Sequence, residues 1–187
     1  MATAYVALLR GINVGGRNKV PMATLRATFE DAGFGAVRTY IQSGNVLFTT
    51  DAPRAPLEST IEAVVEQRFG FPIVVVVRSL RQLRAVVANA PPGFGRQPDR
   101  YHSDVVFLKA PLRAAQAMKV VALRDGVDQA WPGSGPSGPV IYFARLRARR
   151  VQSRMSRMVG TPEYRLMTIR NWATTTKLLS LLEGPDP

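Results

Sequence analysis

The residues best placed to hold an anion come early, in the run RGINVGGRNKV over residues 10–20. Gly11 and Gly16 reproduce the G-x-x-x-x-G spacing of a phosphate-binding loop. In a nucleoside-triphosphate site a Lys follows and reaches the β- and γ-phosphates, and then a Ser or Thr holds magnesium. Here those places are taken by Arg17 and Asn18. A planar guanidinium does not replace the compact ammonium in that cradle, and an amide is a poor substitute for the hydroxyl ligand. Such a loop also leads straight into a helix whose N-terminus faces the phosphate, whereas Pro21 suits a helix start further on. Gly15 and Gly16 are adjacent, so the G-x-G-x-x-G dinucleotide spacing is missing too. A weaker anion site remains open: the glycines let backbone N–H groups converge as a nest, with Arg10, Arg17 and Lys19 around it. The structural alternative is that Gly11, Gly15 and Gly16 permit tight turns while Asn13 and Asn18 bond to nearby backbone. Gln42, Ser43 and Asn45 form a second polar segment, able to orient the rest of a small ligand.

Other chemistry is sparse. His102 is the one histidine and precedes a strand beside Tyr101, with no partner visible in the sequence for general-base work. Ser43 lacks the G-x-S-x-G elbow of a nucleophile. Glu30 and Asp31 lie late in an expected helix and read as a solvated face. With no cysteine and one histidine, and no EF-hand spacing among the carboxylates, no metal site is expected. Nothing implies a cofactor. The more pointed signal is basic: Arg145, Arg147, Arg149, Arg150, Arg154 and Arg157 crowd together, and residues 129–162 contain no acid. Arg170 and Asn171 form a further polar pair, with heads expected to emerge near the surface.

The composition fits that signal. Net charge is +12, and most of the 25 basic residues are arginine, which creates a field attractive to phosphates and nucleic acids. Arginine enrichment beside abundant Ala, Gly and Pro also follows from a GC-rich genome, so the clustering matters more than the total. At 46% hydrophobic and 20% charged, the 187 residues are those of a folded chain long enough for two compact domains. No apolar run approaches the ~20 residues of a membrane helix, and the N-terminus lacks a signal-peptide start. The expectation is a cytoplasmic protein without a membrane partner.

The elements that must carry these residues fall into two similar halves, expected to divide as residues 1–78 and 79–187. AYVALLR reads as a strand, and Met22, Leu25, Phe29 and Ala32 recur at helical spacing. AVRTYI and NVLFTT flank the turn QSGN as a hairpin. Pro53 and Pro56 precede a helix with Leu57, Ile61, Val64 and Val65 on one face, and PIVVVVR is a strand whose apolar run suggests an interior position. The order β-α-β-β-α-β is that of a ferredoxin-like plait, an α+β antiparallel sheet with helices on one face. It would put the QSGN turn at the end of the sheet opposite the glycine loop, or along an edge. In the second half, Ser79 starts a helix over Leu80, Leu83, Val86 and Val87, and the Pro- and Gly-rich residues 89–100 form a loop. SDVVFLK, then residues 127–131 and VIYFARL, read as strands. Helices are expected over residues 112–123 and near 151–158. TIRNWATTTKLLSLL reads as one closing helix, capped by Thr168, with Trp172, Leu179 and Leu182 inward.

The segments RGINVGGRNKVPMATLRATFEDAGFGAVRTYIQSGNVLF, YHSDVVFL and TIRNWATTTKLLSL resemble, in that order, the bacterial domain-of-unknown-function family numbered 1697. The resemblance implies two ferredoxin-like plaits and no activity. The functional expectation is therefore a basic protein that binds a polyanion or phosphate group, nucleic acid included. Its candidate contacts are the glycine loop with the QSGN turn, and the arginine cluster with Arg170 and Asn171. A plait can also bind RNA through aromatics on an open sheet face, for which Tyr40, Phe48 and Tyr142 are available. The alternative is a small-molecule enzyme or sensor acting on an anionic metabolite, phosphorylated small molecules included, at residues 11–19. A homo-oligomer is compatible with the fold but not indicated.

Overall fold

The computed structural model describes residues 2–52 and 56–184; Pro53 lies outside them. The first half of the chain runs β1 (Thr3–Leu9), α1 (Met22–Asp31), β2 (Gly35–Tyr40), β3 (Asn45–Thr50), α2 (Leu57–Phe69) and β4 (Val75–Ser79). Its four strands pair in the order β2-β3-β1-β4, every pair antiparallel. This is the strand order of a ferredoxin-like plait. Along β1, Tyr5, Ala7 and Leu9 share a core with Leu25 and Phe29 of α1 and Leu57, Ile61 and Val65 of α2. Val6, Leu8, Leu47 and Val76, on the opposite face of the sheet, are buried as well. Burial on both faces explains why β1 and β4 read as unbroken apolar runs.

The apolar run of β4 pointed to an interior strand, but β4 is an edge. Two carboxylates of α2 cover it: Glu62 accepts the N–H of Val75 at 2.8 Å and Glu58 that of Val77 at 2.9 Å. Four residues along a helix advance ~6 Å and two along a strand ~6.6 Å. Acids four apart on α2 therefore match alternate amides of β4, and an edge that would otherwise invite another chain is covered from within.

The second half contributes α3 (Leu80–Ala88), β5 (Tyr101–Leu108), α4 (Ala114–Met118), β6 (Asp128–Gly133), β7 (Val140–Leu146), β8 (Met167–Asn171) and α5 (Trp172–Glu183). Its sheet, β6-β7-β5-β8, repeats the order of the first. Three expected helices differ. Instead of spanning residues 112–123, α4 has five residues and gives way to i→i+3 bonds from Val120 and Val121, whose branched side chains favour helix less. The helix expected near residues 151–158 is replaced by 3-10 turns at Arg147–Gln152, Met155–Gly160 and Glu163–Leu166. Only Met155 and Met158 are buried there, too short a stripe to hold a regular helix down. The closing segment is not all helix: Thr168 is buried within β8, which pairs with β5. Asn171 is the cap, its Oδ1 accepting the N–H of Thr174 at 2.7 Å. The buried face of α5 carries Thr174, Thr175 and Leu178 rather than Trp172, Leu179 and Leu182. Trp172 packs edge-on against Phe94, 5.1 Å between ring centres.

By contacts the chain forms two compact units, one of residues up to Leu80 and from Leu178 onward, the other Arg81–Lys177. Two stability outcomes are expected. Asn171→Ala should lower the unfolding free energy by about 1 kcal/mol in denaturant titration, the usual loss for a helix cap. Glu58→Ala with Glu62→Ala should cost about 1–3 kcal/mol, because two half-buried strand amides lose their acceptors. The uncovered edge should also raise concentration-dependent aggregation, measured by light scattering, where Glu58→Ala alone raises it less.

Candidate functional site

The glycine loop is a small β-hairpin. The N–H of Asn13 donates to the carbonyl of Asn18 and that of Arg17 to Val14, both at 3.1 Å. Gly15 and Gly16 sit at the two central positions with φ of +59° and +75°, the left-handed pair that a two-residue hairpin turn of the right twist requires. Asn13 and Asn18 also take positive φ, which asparagine tolerates better than other side-chain-bearing residues. The Asn18 amide donates to the Gly11 carbonyl at 3.3 Å. The N–H groups of Asn13 and Arg17 are thus used inside the hairpin rather than aimed at an anion.

The QSGN turn lies beside this hairpin, not at the far end of the sheet. Since β3 runs antiparallel to β1, with Asn45 opposite Leu8, the turn before β3 must meet the exit of β1. Leu9 donates its N–H to the Gly44 carbonyl at 2.8 Å. Asn13 joins the two segments through one side chain: Oδ1 accepts the Val20 N–H at 2.8 Å, while Nδ2 donates to the carbonyls of Val20 at 2.9 Å and Gln42 at 3.0 Å. Gly44 has φ of +77°, and a Cβ there would stand 2.9 Å from side-chain atoms of Leu9 and Ile12. Asn45 is fully buried, its amide donating to Tyr40 and Ser43. It is therefore part of the frame rather than a ligand contact.

On this frame stand groups with nothing to hold them inward. The side chains of Arg17 and Lys19 are exposed and make no hydrogen bond or ion pair among the described residues. Arg10 is half-buried and partnered. Val14, at the hairpin tip, is 66% exposed, and Ile41, next to Gln42, is 49% exposed. Ile41 also takes φ of +48°, a strained conformation for a β-branched residue that costs about 1–3 kcal/mol. Cations and aliphatic surface are presented together on a braced support.

The arginine cluster of the second unit is largely occupied. Arg145 reaches Asp104 Oδ2 at 3.4 Å and the Met155 sulfur at 3.2 Å. Arg147 donates to the Pro98 carbonyl, and Arg149 to Gln152 at 2.8 Å and the Gly126 carbonyl at 3.4 Å. Arg154 donates to the Leu123 carbonyl at 3.4 Å. Arg150 and Arg157 remain exposed, with no side-chain partner among the described residues. Arg170 does not emerge at the surface as expected. It is 7% exposed, donates to Thr168 and to the Ile169 carbonyl, and burial pushes its guanidinium down to about 10. Asn171 is committed to its capping bond. Of the aromatics offered for RNA on a sheet face, Phe48 and Tyr142 are buried and Tyr40 is half-buried.

His102, without a visible partner in the sequence, has one in the fold. Its Nε2 lies 3.0 Å from Asp104 Oδ1. Burial raises the Asp104 carboxyl above its ordinary value, against the opposing pull of His102 and Arg145. The signal was present: His-x-Asp on a strand places both side chains on one face. His102, Arg147, Arg150 and Val151 line a cavity of about 270 Å³. Nearby, the buried Asp128 fixes the chain by accepting the backbone N–H groups of Arg124 at 3.0 Å and Arg154 at 2.8 Å.

Neither unit contains a cluster of three or more metal-ligating acids or histidines among the described residues. None of their helices is long and apolar enough to cross a membrane. A search of curated proteins returned no match. Among solved structures, a conserved bacterial protein of Streptococcus pneumoniae, SP0830, is similar at 29% identity and a TM-score of 0.82, covering 97% of this chain and 99% of that one. An unknown protein of Galdieria sulphuraria aligns at 11% identity with a TM-score of 0.28, over 91% of this chain and 98% of the other. The family profile described as "Protein of unknown function (DUF1697)" matches residues 2–135, which take in the hairpin, the QSGN turn and the His102–Asp104 pair. The chain belongs to the DUF1697 family.

Proposed function

We propose that the protein binds a polyanion, nucleic acid foremost, through the hairpin of residues 13–18 and the adjoining QSGN turn. The observation that carries this reading is the pairing of unpartnered cations, Arg17 and Lys19, with a support braced by Asn13. The braced backbone is ordered before phosphates arrive, so binding has to order only the Arg17 and Lys19 side chains and not the loop that carries them. Val14 and Ile41 give the same end an apolar surface for a sugar or base. Contacts of this kind position a strand without reading its sequence. The net charge of +12 adds a field that speeds encounter. Arg150 and Arg157 are further phosphate contacts on the second unit.

Anisotropy titrations with labelled single-stranded RNA, single-stranded DNA and duplex DNA over a series of salt concentrations test this. Each phosphate contact contributes about 0.9 to the logarithmic salt slope on duplex and about 0.7 on single strands. Arg17→Ala with Lys19→Ala should therefore flatten the slope by about 1.8 or 1.4 and weaken binding. An unchanged slope, or no binding near physiological salt, sinks the polyanion reading. A phosphorylated metabolite bound with little salt dependence would point instead to the small-anion alternative at the same loop. Asn13→Ala keeps both charges but leaves the Val20 and Gln42 backbone without partners. It should cost about 1–3 kcal/mol of stability, and reduce affinity while leaving the salt slope in place.

A further inference from the structure

The second sheet carries a cavity on the face opposite His102. Gln129 of β6 and Ser103 of β5 are both register partners of Ala144 in β7, so the three residues form one cross-strand row. Trp131 stands one step along on β6, and Tyr101 one step the other way on β5, on the same face. The small Ala144 side chain leaves a hollow between these larger neighbours. The loop containing Phe94 and Gln97 closes over it, giving a cavity of about 230 Å³. Phe94 meets Trp131 edge-on at 6.2 Å and fixes one wall.

The polar groups that line it are uncommitted, Ser103 at its floor and the exposed Gln97 and Gln129 at its edge. Ser103 is 8% exposed, lines the cavity, and its hydroxyl makes no hydrogen bond among the described residues. The side-chain amides of Gln97 and Gln129 likewise have no partner there. The hydroxyl is reached through the cavity and is free to bond a ligand or water there. At the rim, the Arg100 guanidinium lies 5.3 Å over the Tyr101 ring.

We infer that this cavity is a nucleobase site, with Arg100 on the attached phosphate. The lining matches such a ligand group by group. Trp131, half-exposed on the cavity wall, offers a ring for stacking a planar base. Gln97, Gln129 and Ser103 are neutral donors and acceptors, which suit the amide-like edge of a base and offer no counter-charge to a buried ion. The one cation stands at the mouth, where a phosphate would leave the pocket. A neutral sugar would use the aromatics and amides but not Arg100. The base can come from a free nucleotide or from an unstacked position in a single strand. The inference rests on residues separate from the hairpin, so either site can fail without the other.

Isothermal titration calorimetry of the full-length protein tests it, with the four ribonucleoside monophosphates, single-stranded hexanucleotides, and ribose 5-phosphate for comparison. Ala144→Leu fills the hollow, and Gln129→Leu removes one edge contact from an exposed position. Should Ala144→Leu fail to fold, as judged by thermal melting, Gln129→Leu carries the test alone. Mononucleotide binding that weakens about tenfold or more in these variants, yet persists in Arg17→Ala with Lys19→Ala, supports a free-nucleotide site. Binding of the hexanucleotide only, again weakened by Gln129→Leu, supports capture of a base from a strand. The inference is overturned if neither ligand binds, if ribose 5-phosphate binds as well as the nucleotides, or if both pocket variants bind normally.

Discussion

The Asn13 side chain is the contact on which the hairpin end of the first unit depends. Three of the four hydrogen bonds an amide can make are satisfied, two with the N–H and the carbonyl of Val20 and one with the Gln42 carbonyl across a sequence gap of 29 residues. Without it the excursion between β1 and α1 would be a tether of glycines. With it the hairpin returns to the sheet at a fixed point and holds the QSGN turn beside it. Gly44 completes the union, because Ile12 and Leu9 pack where any side chain would stand. Two segments that read as separate signatures are therefore one physical object, and the side chains it exposes include Val14, Arg17, Lys19, Ile41, Gln42 and Ser43.

This union was derivable in principle. An antiparallel β1/β3 pair forces the β2–β3 turn to the end where β1 exits, so the expectation of the opposite end or an edge left out what that pairing dictates. The first plait was legible because its helices carry regular apolar stripes and its strands are short runs between Gly and Pro. The interior reading of β4 failed for a different reason. Burial on two faces and an interior place in the sheet give the same apolar pattern, and the Glu58 and Glu62 bonds that cover the edge depend on tertiary structure. β8 was hidden because Thr168–Asn171 precedes a strong helix with no Gly or Pro between, and residues that can cap a helix can equally sit in a strand. The His102–Asp104 pair needed only the two-residue period of β5. The Ser103–Ala144–Gln129 row needed the register between three strands, which one sequence does not supply.

Charge shows the same limit. Composition gives the sum of arginines but not their allocation, and the fold spends many of them internally. The 3-10 turns of residues 147–166 form few regular helical bonds, so their surroundings contain carbonyls in need of donors. Guanidinium groups, each with five N–H donors in a planar fork, meet that need. Arg147, Arg149 and Arg154 all bind backbone carbonyls, while Arg145 and Arg170 sit within the second unit's polar interior. The densest basic run is thus mainly internal adhesive. Of the arginines in that run, only Arg150 and Arg157 are left for a partner, beside Arg17 and Lys19 on the hairpin of the first unit.

The two plaits share a strand order and differ in what covers them, and that difference separates their capacities. In the first, α2 is long enough to pack Leu57, Ile61 and Val65 into the core and to cap the β4 edge with two acids. The result is a sheet with one face packed by both helices and the β4 edge covered. In the second, the corresponding helix is broken into short turns anchored by Met155, Met158 and the Asp128 carboxylate. Short turns cannot seal a sheet face as an unbroken helix does, and the cavity beside His102 lies along them. On the other face, a loop rather than a helix covers the row through Ala144, and it leaves Ser103 and Gln129 facing unfilled space. Where the regular helix is lost in the second plait, the cavity beside His102 opens along the turns that replace it.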